Sequence, residues 1–173
     1  SPEDAFKQTT DEIQRQASET RKVDRAALDL ESIPVDPKNL HSNVLKPIQD
    51  LFSDPRFEIK LSRGRSGVRV SSEMPIGAEK SGISAVEDAL KYVDNLTKYP
   101  NAVTMAEVLT ARQSVDKILK GIPGKKLPET KTVVGGIRAA LDEYLATVPG
   151  MKNSDTAFAK QMKLIGSLRD AIG

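Results

Sequence analysis

The stretch RQSVDKILKGIPG, closing at Gly124, returns further along the chain as RAALDEYLATVPG, closing at Gly150. Arg112 of the first copy matches Arg138 of the second, and Pro123 matches Pro149. Both read Arg-x-x-(Val/Leu)-Asp-x-x-Leu-x-x-(Ile/Val)-Pro-Gly. Val115 and Leu119, like Leu141 and Leu145, are one helical turn apart and suit a buried stripe. A β-branched residue, a proline and a glycine then end the helix and turn the chain. Arg112 with Asp116, and Arg138 with Asp142, stand at i and i+4, where each pair can meet on its helix face. Arginine ahead of the carboxylate is the weaker orientation, worth at most a few tenths of a kcal/mol. Each copy is therefore the second half of a helix plus its stop signal. The repeat is architecture rather than a reactive site, and two copies fall short of the roughly three a solenoid needs.

The same logic extends to the C-terminal half. Ile83, Val86, Leu90, Val93 and Leu96 step at helical spacing up to KYPN, and Ser84-Ala-Val-Glu87 fits a capping box. Thr104-Met-Ala-Glu107 fits another, ahead of Met105, Val108, Leu109, Val115, Ile118 and Leu119. Pro128 opens a helix with the stripe Val134, Ile137, Leu141, Leu145 and Val148. Asn153 or Ser154 opens the last, with Phe158, Met162, Ile165, Leu168 and Ile172 inward. Short Pro/Gly/Asn connections predict antiparallel neighbours in a bundle over 81–173.

Ahead of the bundle, FEIKL alternates Phe57, Ile59 and Leu61 against Glu58 and Lys60, and VRVSS alternates Val68 and Val70 against Arg69 and Ser71. With SRGRSG between them, this predicts a β-hairpin over 56–72 with one apolar face. Pro34 and Pro37 force extended backbone before a short helix containing Leu40, Val44, Leu45, Ile48, Leu51 and Phe52. Asp36 or Asn39 can cap that helix, and Pro47 shortens or bends it. Residues 34–80 thus hold the short helix and the hairpin. Residues 1–33 read as a polar helical arm: Pro2 suits the first turn, and Glu3 and Asp4 suit its positive end. Its apolar stripe is thin, with Phe6, Ile13 and Ala17 as candidate assembly contacts. A stripe of that kind belongs either to an arm that packs on a partner or a neighbouring copy, or to a frayed, solvated terminal helix. The fold class expected is mainly α: a C-terminal antiparallel helical bundle, one hairpin and an N-terminal arm.

The inventory of reactive groups is poor. The chain has no cysteine, which removes disulfides and thiolate chemistry, and a single histidine, His41. Ser42 beside it does not make a catalytic pair, because sequence neighbours on a helix lack the orienting carboxylate and oxyanion donors. One histidine cannot seed a zinc site, and no calcium loop is present. Glu87-Asp88 and Asp142-Glu143 are adjacent pairs that point to different sides of a helix. SRGRSG lacks the Gly-Lys-Ser/Thr ending of a phosphate loop and leads to a strand. Gly135 and Gly136 fall mid-helix, where close helix packing explains them better than a ligand does. No enzyme, cofactor, metal or small-molecule substrate is expected.

Charged residues make up 29% of the chain with a net charge of +2, a mixed-sign surface rather than a dedicated duplex binder. The one cationic cluster is Lys60, Arg63, Arg65 and Arg69 on the hairpin, which either keeps an exposed strand edge from aggregating or is a candidate contact for a partner or phosphate. It carries the alternative reading, a nucleic-acid-associated protein. Without aromatic interleaving it offers single strands no stacking platform. No apolar run reaches the ~18–20 residues that cross a bilayer, so no membrane role is expected. The polar opening SPEDAFKQTTDEIQRQ lacks the pattern of a signal peptide and reads as a cut inside a longer protein.

The order of elements carries a resemblance. SIPVD, a short helix, a hairpin ending GVRVSS, then TMAEVLTARQSVDKILK and VVGGIRAALDEYLATVPGMKNSDTAFAKQ are similar to helical segments of virion-associated structural proteins of tailed bacteriophages. The matching residues are Arg112 and Asp116, Arg138 and Asp142, Val148-Pro149-Gly150, and Asp155 to Phe158, over roughly 30–170. The resemblance implies a non-enzymatic virion part, made in the host cytoplasm and assembled with copies of itself or other virion proteins. It carries no catalytic residue across.

Overall fold

The computed structural model describes residues 1–99 and 101–172, with the side chain of Ile172 left out. Pro100 of the KYPN turn and the inward position expected of Ile172 lie outside the described residues. The fold is mainly α with a two-stranded antiparallel hairpin. The helices are α1 (Pro2–Ala26), α2 (Pro37–Leu40), α3 (Lys46–Phe52), α4 (Lys80–Lys98), α5 (Met105–Lys120), α6 (Pro128–Leu145) and α7 (Met151–Ile172). The strands are β1 (Lys60–Gly64) and β2 (Gly67–Ser71). Two compact units divide the chain: residues 31–145, and residues 1–30 with 146–173. The bundle expected over 81–173 is thus shared out differently, because α7 falls in the unit of α1.

In the 31–145 unit, α3, α4, α5, α6 and the hairpin enclose one core. Val86, Val108, Val115, Val133, Val134, Ile137 and Leu141 are fully buried in it. Gly136 is what lets α3 approach α6: a Cβ there would lie 2.5 Å from Cδ2 of Leu51. Asp36 caps α2 by accepting the Lys38 N–H at 2.9 Å. A π turn, His41–Leu45, joins α2 to α3 directly ahead of Pro47. Proline has no N–H to give and its ring crowds the preceding turn, and the wider π turn absorbs both effects. The segment before α2 is pinned to the start of α5 by Val35 N–H to Val103 O and Met105 N–H to Ile33 O, each 2.9 Å.

Four local expectations change. Neither Asn153 nor Ser154 opens the last helix, because α7 begins at Met151 and both lie inside it. Ser84 is not a cap, because α4 begins at Lys80 and Ser84 lies inside it. Thr104 does occupy the N-cap of α5, but through its carbonyl, which accepts the Glu107 N–H at 3.1 Å, and not through its hydroxyl. The first strand is shorter than the Phe57–Ile59–Leu61 alternation suggests. The Asp54 carbonyl takes the N–H groups of both Phe57 and Glu58 at 2.9 Å, and Glu58 adopts φ 43°. That left-handed residue breaks the alternation, so Phe57 and Ile59 enter the core from a turn and pairing starts at Lys60.

In the other unit, α1 lies antiparallel to α7. Arg25 pairs with Asp155 at 2.5 Å and Arg169 with Asp11 at 3.7 Å, contacts at opposite ends of the two helices. Ser1 caps α1 by accepting the Asp4 N–H. Gly150, at φ +90°, turns the chain into α7 where the side chain of Leu28 leaves no room for a Cβ. That unit is thinly packed. Thr10 is the buried residue of α1, while Phe6, Ile13, Ala17, Arg21 and Leu28 are half-covered.

Candidate functional site

The repeated motif resolves into a cross-linked helical hairpin. Each arginine faces the aspartate of the other copy: Arg112 Nε donates to Asp142 Oδ1 at 2.6 Å, and Arg138 Nε lies 3.2 Å from Asp116 Oδ1. The Arg138 contact is an ion pair without hydrogen-bond geometry, and Nε of Arg138 is buried with no bonded acceptor. Of the two pairs expected within a helix, only Arg138–Asp142 meets, at 3.6 Å. Side chains lean toward the helix N-terminus, so an arginine placed before its aspartate points away from it and reaches the neighbouring helix instead. Asp116 also takes Lys120 at 2.9 Å. Burial works to raise the Asp116 carboxyl, but Lys120, Arg138 and Arg112 together hold it below its ordinary value. The network fastens α5 to α6, and its carboxylates are all engaged.

The cationic cluster does not act as one patch. Arg63 pairs with Asp94 at 2.8 Å and Arg69 with Glu87 at 3.2 Å, both acids lying on α4. Among the described residues Lys60 and Arg65 have no ion pair, and both are exposed. Leu61, Arg63, Val68 and Asp94 wall a groove of about 330 Å³ whose other lining includes Leu45, Ile48, Phe52, Leu90 and Val93.

Of the candidate assembly residues, Ile13 and Ala17 line a second groove of about 340 Å³ between α1 and α7, with Phe158 and Leu164 opposite. Phe6 stands on the same stripe, seven residues before Ile13, and is half-buried. Leu164 is 48% exposed. The rim carries Arg21 and Asp24, and the Arg21 guanidinium sits 3.6 Å above the centre of the Phe158 ring. The chain's own α7 thus meets the stripe of α1, a partner that the pattern of either helix alone does not reveal. The signal was there: Phe6, Thr10, Ile13 and Ala17, like Met151, Ser154, Phe158 and Ile165, follow the three-and-four spacing of a helical seam.

His41 is exposed and its neighbour Ser42 bonds back to the Lys38 carbonyl. Among the described residues no group of His, Cys, Asp and Glu side chains is placed to hold a metal ion, and no helix is long and apolar enough to cross a membrane. Comparison with protein-family models, curated proteins and solved structures finds no match.

Proposed function

We propose that the protein is a non-enzymatic assembly component that works by protein–protein contact through the α1–α7 pair. The observation that carries this reading is the half-covered seam. Two helices of 25 and 22 residues leave Ile13, Ala17, Phe158 and Leu164 around an open groove. Apolar surface in that state gains by burial against a further helix. A second copy of the same pair is the occupant that fits, giving a four-helix arrangement. The rim supplies both signs of charge, Arg21 and Asp24, so a two-fold contact can match opposite charges and need not oppose like ones. The resemblance in element order gives the setting: a virion-associated structural protein of a tailed bacteriophage or prophage, assembled in the host cytoplasm and carried in the particle.

The test places carboxylates in the groove. Ala17→Glu with Leu164→Glu is expected to bring the full chain from an oligomeric to a monomeric mass in light scattering, with helical circular dichroism unchanged. A wild-type chain that stays monomeric at every accessible concentration would sink the reading.

A further inference from the structure

We infer that the outer edge of the hairpin is a docking site for an extended, acidic segment of a partner protein, which adds to β1 as a third strand. Gly64 pairs with Gly67 across the two-residue connection Arg65-Ser66, and the ladder runs Arg63–Val68, Ser62–Arg69, Leu61–Val70, Lys60–Ser71. A pair that closes so short a connection exchanges both of its hydrogen bonds, and bonded and non-bonded pairs alternate along an antiparallel ladder. Lys60, Ser62 and Gly64 therefore spend their backbone groups on β2. Leu61 and Arg63 turn theirs outward, and among the described residues no backbone or side chain bonds them. All five residues of β1 are exposed.

Beside this free edge lies an apolar seat. Cross-strand partners share a face, so Leu61 belongs with Val70 and Val68. Those two valines are 6% and 8% exposed, whereas Leu61 is 53% exposed over the groove floored by Ile48, Phe52, Leu90 and Val93. An added strand would set an apolar side chain next to Leu61 on the groove side, and its backbone would take up the bonds of Leu61 and Arg63.

Charge selects the occupant. The hairpin KLSRGRSGVRVS holds four cations and no carboxylate. Asp94 and Glu87 neutralise Arg63 and Arg69, which leaves Lys60 and Arg65 at the two ends of β1. A second copy of β1 would bring like charges to the same edge, an arrangement that keeps bare edges from pairing with themselves. A strand with an acidic residue toward each end, about five residues or ~17 Å apart, meets both cations. A nucleic acid would meet the same cations but would use neither the outward backbone groups nor the apolar seat.

This inference rests on the 31–145 unit alone, so its failure leaves the α1–α7 reading standing. The probe is a labelled peptide of about ten residues alternating valine and threonine, with aspartate near each end. Controls are the same peptide ended with lysine and an oligothymidylate of similar length. By fluorescence anisotropy with the full chain, the acidic peptide should bind and the lysine peptide should not. Lys60→Glu with Arg65→Glu should weaken the acidic peptide at least about tenfold. In amide exchange by NMR, the Leu61 and Arg63 amides should exchange fast in the free protein and slow when peptide is bound. No binding, binding that leaves those two amides fast, or an affinity untouched by the charge reversal each overturns the proposal. Preference for the oligothymidylate overturns it in favour of a nucleic-acid contact.

Discussion

The two units bury their apolar residues to different degrees. In the 31–145 unit, α4, α5 and α6 surround side chains such as Ile137 and Leu141 that touch no solvent. In the unit of α1 and α7, comparable side chains are left half-covered, and Val23 and Leu164 stand 68% and 48% exposed. A core closed on all sides stabilises itself, whereas two helices side by side cover at most one face of each other. The 31–145 unit is a scaffold closed on its own core, whereas the α1–α7 unit keeps apolar surface uncovered.

That contrast can be broken by mutation. The largest effect is expected at Ile137→Ala, which empties a fully buried site and should cost about 3 kcal/mol in urea unfolding. Ile13→Ala, in the open groove, should cost under about 1 kcal/mol while still weakening self-association. If the two substitutions cost the same, the distinction between scaffold and surface fails. Next come the cross-helix ion pairs: a double-mutant cycle over Arg112→Ala and Asp142→Ala should return a coupling of about 1–2 kcal/mol, between surface and buried values. The same cycle over Arg112 and Asp116 should return less, since the partners are exchanged between the copies.

A smaller effect is the acid dependence of the scaffold. Because the folded protein holds the Asp116 carboxyl below its ordinary value, its contribution is complete above that value and fades as pH falls through the folded one. Asp116→Asn should therefore flatten part of the stability loss seen on acidification below about pH 4, and an unaltered acid limb would count against the network. Smallest of all, Val23→Thr at an exposed site outside the groove should shift stability by less than about 0.5 kcal/mol and leave the oligomer unchanged.

Much of the scaffold is legible in the sequence. The α6 start at Pro128, the Asp36 cap and the burial of Val68 and Val70 follow from local chemistry that needs no knowledge of neighbours, whereas α5 and α6 end at Lys120 and Leu145, several residues ahead of the Pro-Gly pairs. What escapes is what depends on a partner element. Arg112 chooses Asp142 over Asp116 because the facing helix presents a better-placed carboxylate, and no spacing within one helix reveals that. The strand starts later than alternation predicts because Glu58 takes a left-handed backbone set by a turn around Asp54. Alternation of residue type is blind to such a turn. Likewise α1 and α7 each show a thin stripe, and only their meeting turns two weak signals into a seam. The hairpin cations read as one patch until Asp94 and Glu87 of α4 claim two of them.

The contrast between scaffold and seam is tested most directly by sedimentation equilibrium on two chains, the 173-residue chain and a fragment spanning 31–145. The account predicts a folded, monomeric fragment with a cooperative melt, and a whole chain whose mass rises with concentration above that of one copy. A fragment that associates as strongly as the whole chain, or a whole chain fixed at the mass of one copy, would contradict it.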